Sequence, residues 1–113
     1  MVTAILKQIN LNTMSKQSLT DYLIKEQLVL VDFFAEWCGP CQTMGPILQE
    51  TKRELEGQAK IIKIDIDKNE AAAQHYKVKS VPTLILFKNG NPIWRQSGIV
   101  ESKDLVSLIS KHS

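Results

Sequence analysis

Residues Leu28 to Cys41 read LVLVDFFAEWCGPC, a nearly continuous apolar run that ends in a pair of cysteines. An apolar run of this kind is typical of a strand buried on both faces, as in a parallel or mixed sheet covered by helices. Gly39 and Pro40 then break the strand, and Pro40 suits the first turn of a helix because its missing N–H needs no partner there. The stretch therefore predicts a buried strand followed directly by a helix, with the cysteines at the junction.

Outward from this stretch, the hydrophobic pattern alternates between strand and helix. It predicts a helix after the cysteines that reaches about Glu56 and is closed by Gly57, with Pro46 kinking its axis. The sequence Asn89-Gly90 marks a hairpin turn between the last two strands. The predicted strands are Lys7–Asn12, Leu28–Phe34, Ile61–Ile66, Val81–Phe87 and Ile93–Ser97, and the other predicted helices are Ser15–Glu26, Glu70–Tyr76 and Ser102–Lys111. Because crossovers join parallel strands and hairpins join antiparallel ones, we expect an α/β fold with a central mixed sheet of about five strands and about four helices on its two faces.

Length and composition limit the remaining possibilities. The chain has 113 residues, 43% hydrophobic and 23% charged, which fits a single globular domain over residues 1–113. Its formal net charge is +2 and no Lys/Arg cluster stands out, so we expect neither a nucleic-acid nor a membrane partner. No apolar run approaches the roughly 18 residues of a membrane span, and Met1 to Ile9 lack the features of a secretory signal. We expect a cytoplasmic protein; the lack of acidic residues before Asp21 leaves organellar import as an alternative.

The position of the two cysteines, Cys38 and Cys41, gives a physical reason for their reactivity. Unpaired N–H groups and partial positive charge at a helix N-terminus favour a thiolate at Cys38. Cys41 follows almost one turn later, so the sulfurs can form a disulfide or open to a dithiol with little backbone movement. A disulfide closing so short a loop stabilises a fold weakly, and a zinc site would need His75 and His112 as further ligands. Redox exchange is therefore favoured over a structural bridge or a metal site.

Several motifs around the cysteine pair resemble the thioredoxin family. They are Phe33-Phe34-Ala35-Glu36-Trp37-Cys38-Gly39-Pro40-Cys41, Val81-Pro82-Thr83, Phe87-Lys88-Asn89-Gly90 and Gly98, and their spacing fits the family from Asp32 to Gly98. The resemblance covers essentially the full chain, and Trp-Cys-Gly-Pro-Cys is far more specific than a bare C-x-x-C motif. It implies the thioredoxin fold and a protein dithiol–disulfide oxidoreductase that reduces disulfides in target proteins.

The resemblance also implies roles for residues of the catalytic motif. Cys38 attacks a target disulfide, Cys41 resolves the mixed disulfide, and Gly39 and Pro40 separate the two cysteines. Asp32 moves protons to and from the buried thiol. Since Asp32 interrupts an apolar strand, burial should raise its pKa, which suits proton transfer at neutral pH; the alternative is an Asp turned toward solvent at a strand end.

The other candidate residues have ordinary structural interpretations beside the functional ones. The alternation of apolar and polar residues predicts that Lys63 faces solvent from its strand. The resemblance instead places Lys63 near the buried Asp32, whose protonation it helps to set. Pro82 suits the start of a strand, whereas the family keeps a cis proline here, packed against the disulfide, with the backbone of Val81 pairing with the substrate chain. Trp37 is either core or a rim contact for substrate. Gly98 is either a turn residue or a position whose missing side chain lets another chain approach the sulfurs.

Cofactors and partners follow from the resemblance alone. It implies no bound cofactor, and it implies that thioredoxin reductase recharges the cysteine pair with electrons from NADPH or ferredoxin. We also expect no metal, because only His75 and His112 could join the two thiols as ligands. The implied targets are disulfide-containing proteins such as ribonucleotide reductase, peroxiredoxin and methionine sulfoxide reductase, and we expect a monomer.

Two alternative functions stay open. The first is a thiol oxidase or isomerase of the same fold; Gly39-Pro40 argues against it, because those proteins usually place a His before the second Cys. The second is a non-catalytic docking subunit.

Phe34, Gln42 and Ile99 depart from the family's usual residues, and these departures bear on partner preference and fluorescence.

Overall fold

Helices and strands alternate along residues 16–113, the part of the chain that the computed structural model describes. In chain order the elements are α1 (Lys16–Lys25), β1 (Leu28–Phe34), α2 (Gly39–Leu55), β2 (Lys60–Asp65), α3 (Glu70–His75), β3 (Thr83–Lys88), β4 (Asn91–Ser97) and α4 (Ser102–His112). The strands form one sheet in the order β2-β1-β3-β4. β1 runs parallel to β2 and antiparallel to β3, and β4 is antiparallel to β3. The predicted mixed α/β architecture is therefore confirmed.

The number of strands differs from the prediction. The sheet has four strands within residues 16–113, not about five. The first predicted strand, Lys7–Asn12, lies outside the described residues.

The central strand β1 explains the apolar run in the sequence. Leu28 and Leu30 face one layer of helices, whereas Val29, Val31 and Phe33 face the other. The first layer contains α2 and α4, and the second contains α1 and α3; their core side chains are Met44, Leu48, Leu55, Leu105 and Ile109 in the first, and Leu19, Leu23 and Ala72 in the second. Because β1 is buried on both sides, nearly all of its residues must be apolar.

Some element boundaries differ from those predicted. β3 begins at Thr83 and not at Val81, because Pro82 has no N–H to donate to the sheet. α2 ends at Leu55, and a left-handed residue, Glu56 (φ 50°), precedes the predicted glycine cap at Gly57. The Asn89-Gly90 turn forms as predicted, with both residues at positive φ.

The topology places the cysteine pair at one end of the sheet. β1 and β2 are parallel, so their carboxyl ends lie at the same edge, and α2 begins there directly after β1. Among residues 16–113, no helix is both long and apolar enough to cross a membrane.

Candidate active site

The cysteine pair lies at the start of α2, where the helix N-terminus is capped by sulfur. Cys38 is the N-cap residue, with an extended backbone (φ −94°, ψ 117°), and its Sγ accepts a hydrogen bond from the Cys41 N–H at 3.2 Å. Cys38 and Cys41 form a disulfide, with their Cα atoms 5.3 Å apart. When this disulfide opens, the same N–H group and the helix dipole favour a thiolate on Cys38.

Both sulfurs are largely shielded from solvent. Cys38 is 5% exposed and Cys41 is 3% exposed. The Cys38 Sγ lies 3.6 Å from the carbonyl oxygen of Val81. Cys41 lines an open cleft of about 460 Å³ that also touches Lys63. The two cysteines therefore lie against different surroundings, although they share one bond.

Asp32 is fully buried in β1, and neither of its carboxylate oxygens has a hydrogen-bond partner among the described residues. Side chains alternate along a strand, so Asp32 shares the face of Leu30, which α2 covers. Loss of solvation raises the pKa of Asp32 to about 6, against the opposing positive charge of Lys63. The solvent-facing interpretation of Asp32 is therefore wrong.

Lys63 lies beside Asp32 on the neighbouring parallel strand, in direct register. It is half-buried, and its Nζ lies 4.6 Å from the centroid of the Phe34 ring, within the range of a cation–π contact. Lys63 also lines the cleft that reaches Cys41. The residue is thus partly solvent-facing, as alternation predicts, and also close enough to lower the pKa of Asp32.

The loop before β3 lies against the disulfide from the other side. The Val81–Pro82 peptide bond is cis, as the resemblance implies. Val81 packs against the cysteines, and the carbonyl oxygen of Pro82 accepts a hydrogen bond from the Gly98 N–H at 2.8 Å. Gly98 has φ +92°, a conformation that favours glycine, and the space where a Cβ would project is open.

Trp37 occupies the rim of the site and not the core. It is 72% exposed, and its indole Nε1–H donates to Asp67 Oδ2 at 2.8 Å. Ile99 is a second exposed apolar side chain, 46% exposed, next to Gly98 in the chain.

Asp67 is a site residue that sequence reasoning missed. It follows β2 by two residues, and its backbone N–H donates to Asp65 Oδ1 at 2.8 Å. The signal that could have revealed it is topological: the carboxyl ends of parallel neighbouring strands meet at one edge of a sheet, so the residues after β2 lie near those after β1.

The histidines considered as zinc ligands lie in ordinary structural positions. The His75 ring packs edge-on against the ring of Tyr76, with centroids 4.6 Å apart, and His112 is the last residue of α4. Within residues 16–113, no group of three or more His, Cys, Asp or Glu side chains is arranged to hold a metal ion.

A disulfide at a helix N-terminus, together with a buried carboxyl in a mixed α/β sheet, is typical of a protein that exchanges thiols and disulfides. Comparison with known proteins makes the class specific. The thioredoxin family model matches residues 10–111, and the thioredoxin of Chlamydia pneumoniae is 50% identical over 93 residues, covering 82% of this chain and 90% of the relative.

Solved structures of thioredoxins also superpose on this chain. A mutant thioredoxin from Halobacterium salinarum superposes with a TM-score of 0.79 at 35% identity, over 88% of this chain and 86% of the other. Fasciola hepatica thioredoxin superposes with a TM-score of 0.78 at 32% identity, over 88% and 96%. The chain belongs to the thioredoxin family, and it is a dithiol–disulfide oxidoreductase whose redox-active pair is Cys38 and Cys41.

Proposed function

We propose that Cys38 is the attacking nucleophile and Cys41 the resolving cysteine. The hydrogen bond from the Cys41 N–H to Cys38 Sγ carries this assignment, because it favours negative charge on Cys38. The Cys38 thiolate attacks a target disulfide, so a mixed disulfide forms and the target's other sulfur leaves as a thiolate. The Cys41 thiolate then attacks Cys38, which closes the internal disulfide and releases the second target thiol. Two electrons pass from the protein's dithiol to the target.

Asp32 accepts the proton that Cys41 must lose before it attacks. A pKa of about 6 leaves Asp32 mostly ionised at pH 7 and able to take up a proton. Burial raises this pKa, and Lys63 on the adjacent strand limits the rise by favouring the charged carboxylate. The cleft lined by Cys41 and Lys63 supports exchange of that proton with solvent.

The target chain docks in extended form along the surface around the disulfide. The backbone of Val81 pairs with it beside Cys38, which is supported by the contact of the Val81 carbonyl with Sγ. Pro82 holds this loop against the disulfide, Gly98 leaves open space for the approaching chain, and Trp37 offers an exposed ring at the rim. Gly39 and Pro40 keep the cysteines at the spacing that lets their sulfurs join.

The physiological setting follows the family. Thioredoxin reductase recharges the disulfide with electrons from NADPH or ferredoxin, and the targets include ribonucleotide reductase, peroxiredoxin and methionine sulfoxide reductase. The protein works as a monomer in the cytoplasm, as one thioredoxin domain over residues 1–113. The Gly39-Pro40 dipeptide favours a reductase over an oxidase or isomerase.

Insulin reduction tests this function. The protein should accelerate the precipitation of insulin by dithiothreitol, measured as turbidity, and Cys38→Ser should abolish the acceleration. Glu50→Gln, an exposed substitution in the middle of α2, is the control and should keep full activity. A wild-type protein that gives no acceleration would instead support a docking subunit without catalysis.

A further inference from the structure

The loop between α3 and β3, residues 76–82, carries Val81 and Pro82 and is here called the docking loop. It leaves α3 through a tight cap in which the N–H groups of Lys77 and Val78 donate back to carbonyl oxygens of the helix, at 3.0 and 2.8 Å. Lys77 has φ 55°, a left-handed conformation that favours glycine and costs energy for a lysine. Further contacts with the backbone at this point would therefore help to hold the start of the docking loop in this conformation.

Arg95 of β4 supplies such contacts from across the fold. Its guanidinium Nη2–H donates to the Lys77 carbonyl oxygen at 2.7 Å, and its Nη1–H donates to the Tyr76 carbonyl oxygen. A planar guanidinium presents two parallel donors, and charge-assisted hydrogen bonds of this kind are stronger than neutral ones. Two successive backbone carbonyls of the docking loop are thus fixed to one side chain of the edge strand.

A chain of hydroxyl groups fixes the far end of the same loop to β4. The Thr83 hydroxyl donates to the Ser80 carbonyl oxygen at 2.7 Å, and it lies 3.1 Å from the Ser97 oxygen. The Ser80 hydroxyl donates to Ser97 Oγ at 3.3 Å. The Thr83 and Ser80 hydroxyls each have one proton, and both protons are already used in these bonds. The Ser97 hydroxyl must therefore donate to the Thr83 oxygen. With the Gly98 N–H bonded to Pro82, β4 holds the docking loop at both ends.

We propose that Arg95 is a positioning residue for disulfide exchange, which holds the docking loop so that the Val81 backbone stands ready beside Cys38 to pair with a target chain. This inference rests on the proposed docking of the target at Val81. A binding segment that is already ordered loses less conformational entropy when its partner arrives. Arg95 therefore affects how well a protein target binds, while the chemistry at the two sulfurs proceeds without it.

The test compares a disulfide in a protein substrate with a disulfide in a small molecule. The reduced protein is mixed either with increasing concentrations of insulin or with the small disulfide 5,5′-dithiobis(2-nitrobenzoate). The reaction is quenched by alkylation, and the oxidised fraction of the protein is measured by mass spectrometry. For Arg95→Met we expect the half-saturating insulin concentration to rise about fivefold, the effect of losing hydrogen bonds of ordinary strength. The limiting rate and the rate with the small disulfide should be unchanged.

Three further variants separate positioning from other effects. Lys111→Met removes the same charge from an exposed position near the end of α4 and should match wild type with both substrates. Arg95→Lys keeps the charge but offers one donor centre, and it should restore part of the insulin affinity. Ser97→Ala tests the hydroxyl chain without a change of charge, and the half-saturating insulin concentration should rise about twofold, because hydrogen bonds between neutral groups contribute less than those of a charged guanidinium.

Hydrogen exchange gives an independent readout: in Arg95→Met the amides of Val78 and Val81 should exchange faster. A variant with a lower melting temperature but unchanged insulin saturation and exchange would show that Arg95 only caps α3 and would overturn the proposal. An equal loss of exchange rate with insulin and with the small disulfide would also overturn the proposal, because the substitution would then act on the reaction at the sulfurs. If Arg95→Met does not fold, Arg95→Lys and Ser97→Ala decide. A wild-type protein that fails to reduce insulin would contradict the proposed function and not this inference alone.

Discussion

Asp32 is a carboxyl group with apolar neighbours on its own strand and no hydrogen-bond partner among the described residues. Its pKa is raised from 3.8 to about 6 by burial, and this shift corresponds to about 3 kcal/mol of lost stability when the group is ionised. The protein tolerates this cost in the middle of its sheet. Such a cost is understandable where the group has a chemical task, since active sites commonly sacrifice stability for function.

The pH dependence of stability should report this cost directly. The folded pKa lies above the unfolded one, so the folded state binds more protons between about pH 4 and pH 6, and wild-type stability falls as pH rises through that range. Asp32→Asn removes the effect and should be more stable than wild type above pH 6, by up to about 3 kcal/mol, while it exchanges disulfides at least about tenfold more slowly.

Denaturant unfolding at pH 4, 5, 7 and 8, beside insulin reduction, measures both parts of this prediction. Glu50→Gln is the control for removing an acidic group, and it should not reproduce the gain in stability that Asp32→Asn shows above pH 6. An Asp32→Asn protein that is less stable at pH 8, or one that keeps wild-type exchange rates, would contradict the role given to Asp32.

The indole–carboxylate pair at the rim gives a second prediction. Asp67→Ala removes the acceptor for Trp37 Nε1–H, so the Trp37 indole proton should exchange faster with solvent in NMR spectra. Because the bond is exposed, unfolding should become easier by less than about 1 kcal/mol, whereas insulin reduction should slow several-fold as the ring loses its fixed orientation. An unchanged indole exchange rate would show that the bond does not hold Trp37 in solution.

Single residues were predictable from the sequence where their immediate neighbours carried the signal. Asp32 stands in an apolar strand, and Cys38 stands at a helix start, so burial and reactivity could be read locally. Asp67 and Arg95 could not be found in this way, because each acts on a residue at least 18 positions away in the chain. Their partners depend on how strands and loops meet in three dimensions.

At the scale of elements, the β3–β4 hairpin packs its turn against the end of α1. The Asn89 N–H donates to the Gln27 carbonyl oxygen at 2.7 Å. Gly90 has φ +87°, and a Cβ there would lie 2.9 Å from Ile24 Cγ1. The glycine is therefore needed for two reasons: its left-handed backbone and the close approach of α1.

A pair of glycine variants separates these two reasons. Gly57 has φ +89° with no atom within 4 Å of its missing Cβ, so Gly57→Ala reports the backbone cost alone, about 1–2 kcal/mol. Gly90→Ala adds the contact with Ile24 and should be more destabilising than Gly57→Ala in denaturant melts. Both should reduce insulin at the wild-type rate, because neither glycine lies at the disulfide end of the sheet. Equal losses of stability would show that Ile24 moves aside freely.

The order and type of the helices and strands were predictable from hydrophobic periodicity, but some of their first and last residues were not. β3 starts after Pro82 because the sheet needs donors, and α2 ends one residue before its predicted limit because Glu56 adopts the left-handed conformation. The pattern marks where apolar faces lie, whereas an element's last residue depends on single hydrogen bonds. The hydrophobic pattern placed Val81 and Pro82 at the start of a strand, and only the family resemblance gave these two residues of the docking loop a position at the disulfide.

At the scale of the molecule, the strand order explains why distant segments form one site. The parallel pair β1 and β2 places Asp67 near the cysteine pair, and the antiparallel pair β3 and β4 places Gly98 beside Pro82. Cys38 is thereby surrounded by the docking loop and the rim, while Cys41 lies against the cleft and Lys63. This asymmetry supports the different roles that we propose for the two cysteines.

Trapping the mixed disulfide tests that asymmetry most directly. Reduced Cys41→Ser is mixed with an oxidised target peptide, and the adduct is located by digestion and mass spectrometry, beside Cys38→Ser under the same conditions. Cys41→Ser should accumulate a stable adduct on Cys38, because no second thiol remains to release it, and Cys38→Ser should form little adduct on Cys41. Equal or faster adduct formation on Cys41 would contradict the assignment of Cys38 as the nucleophile.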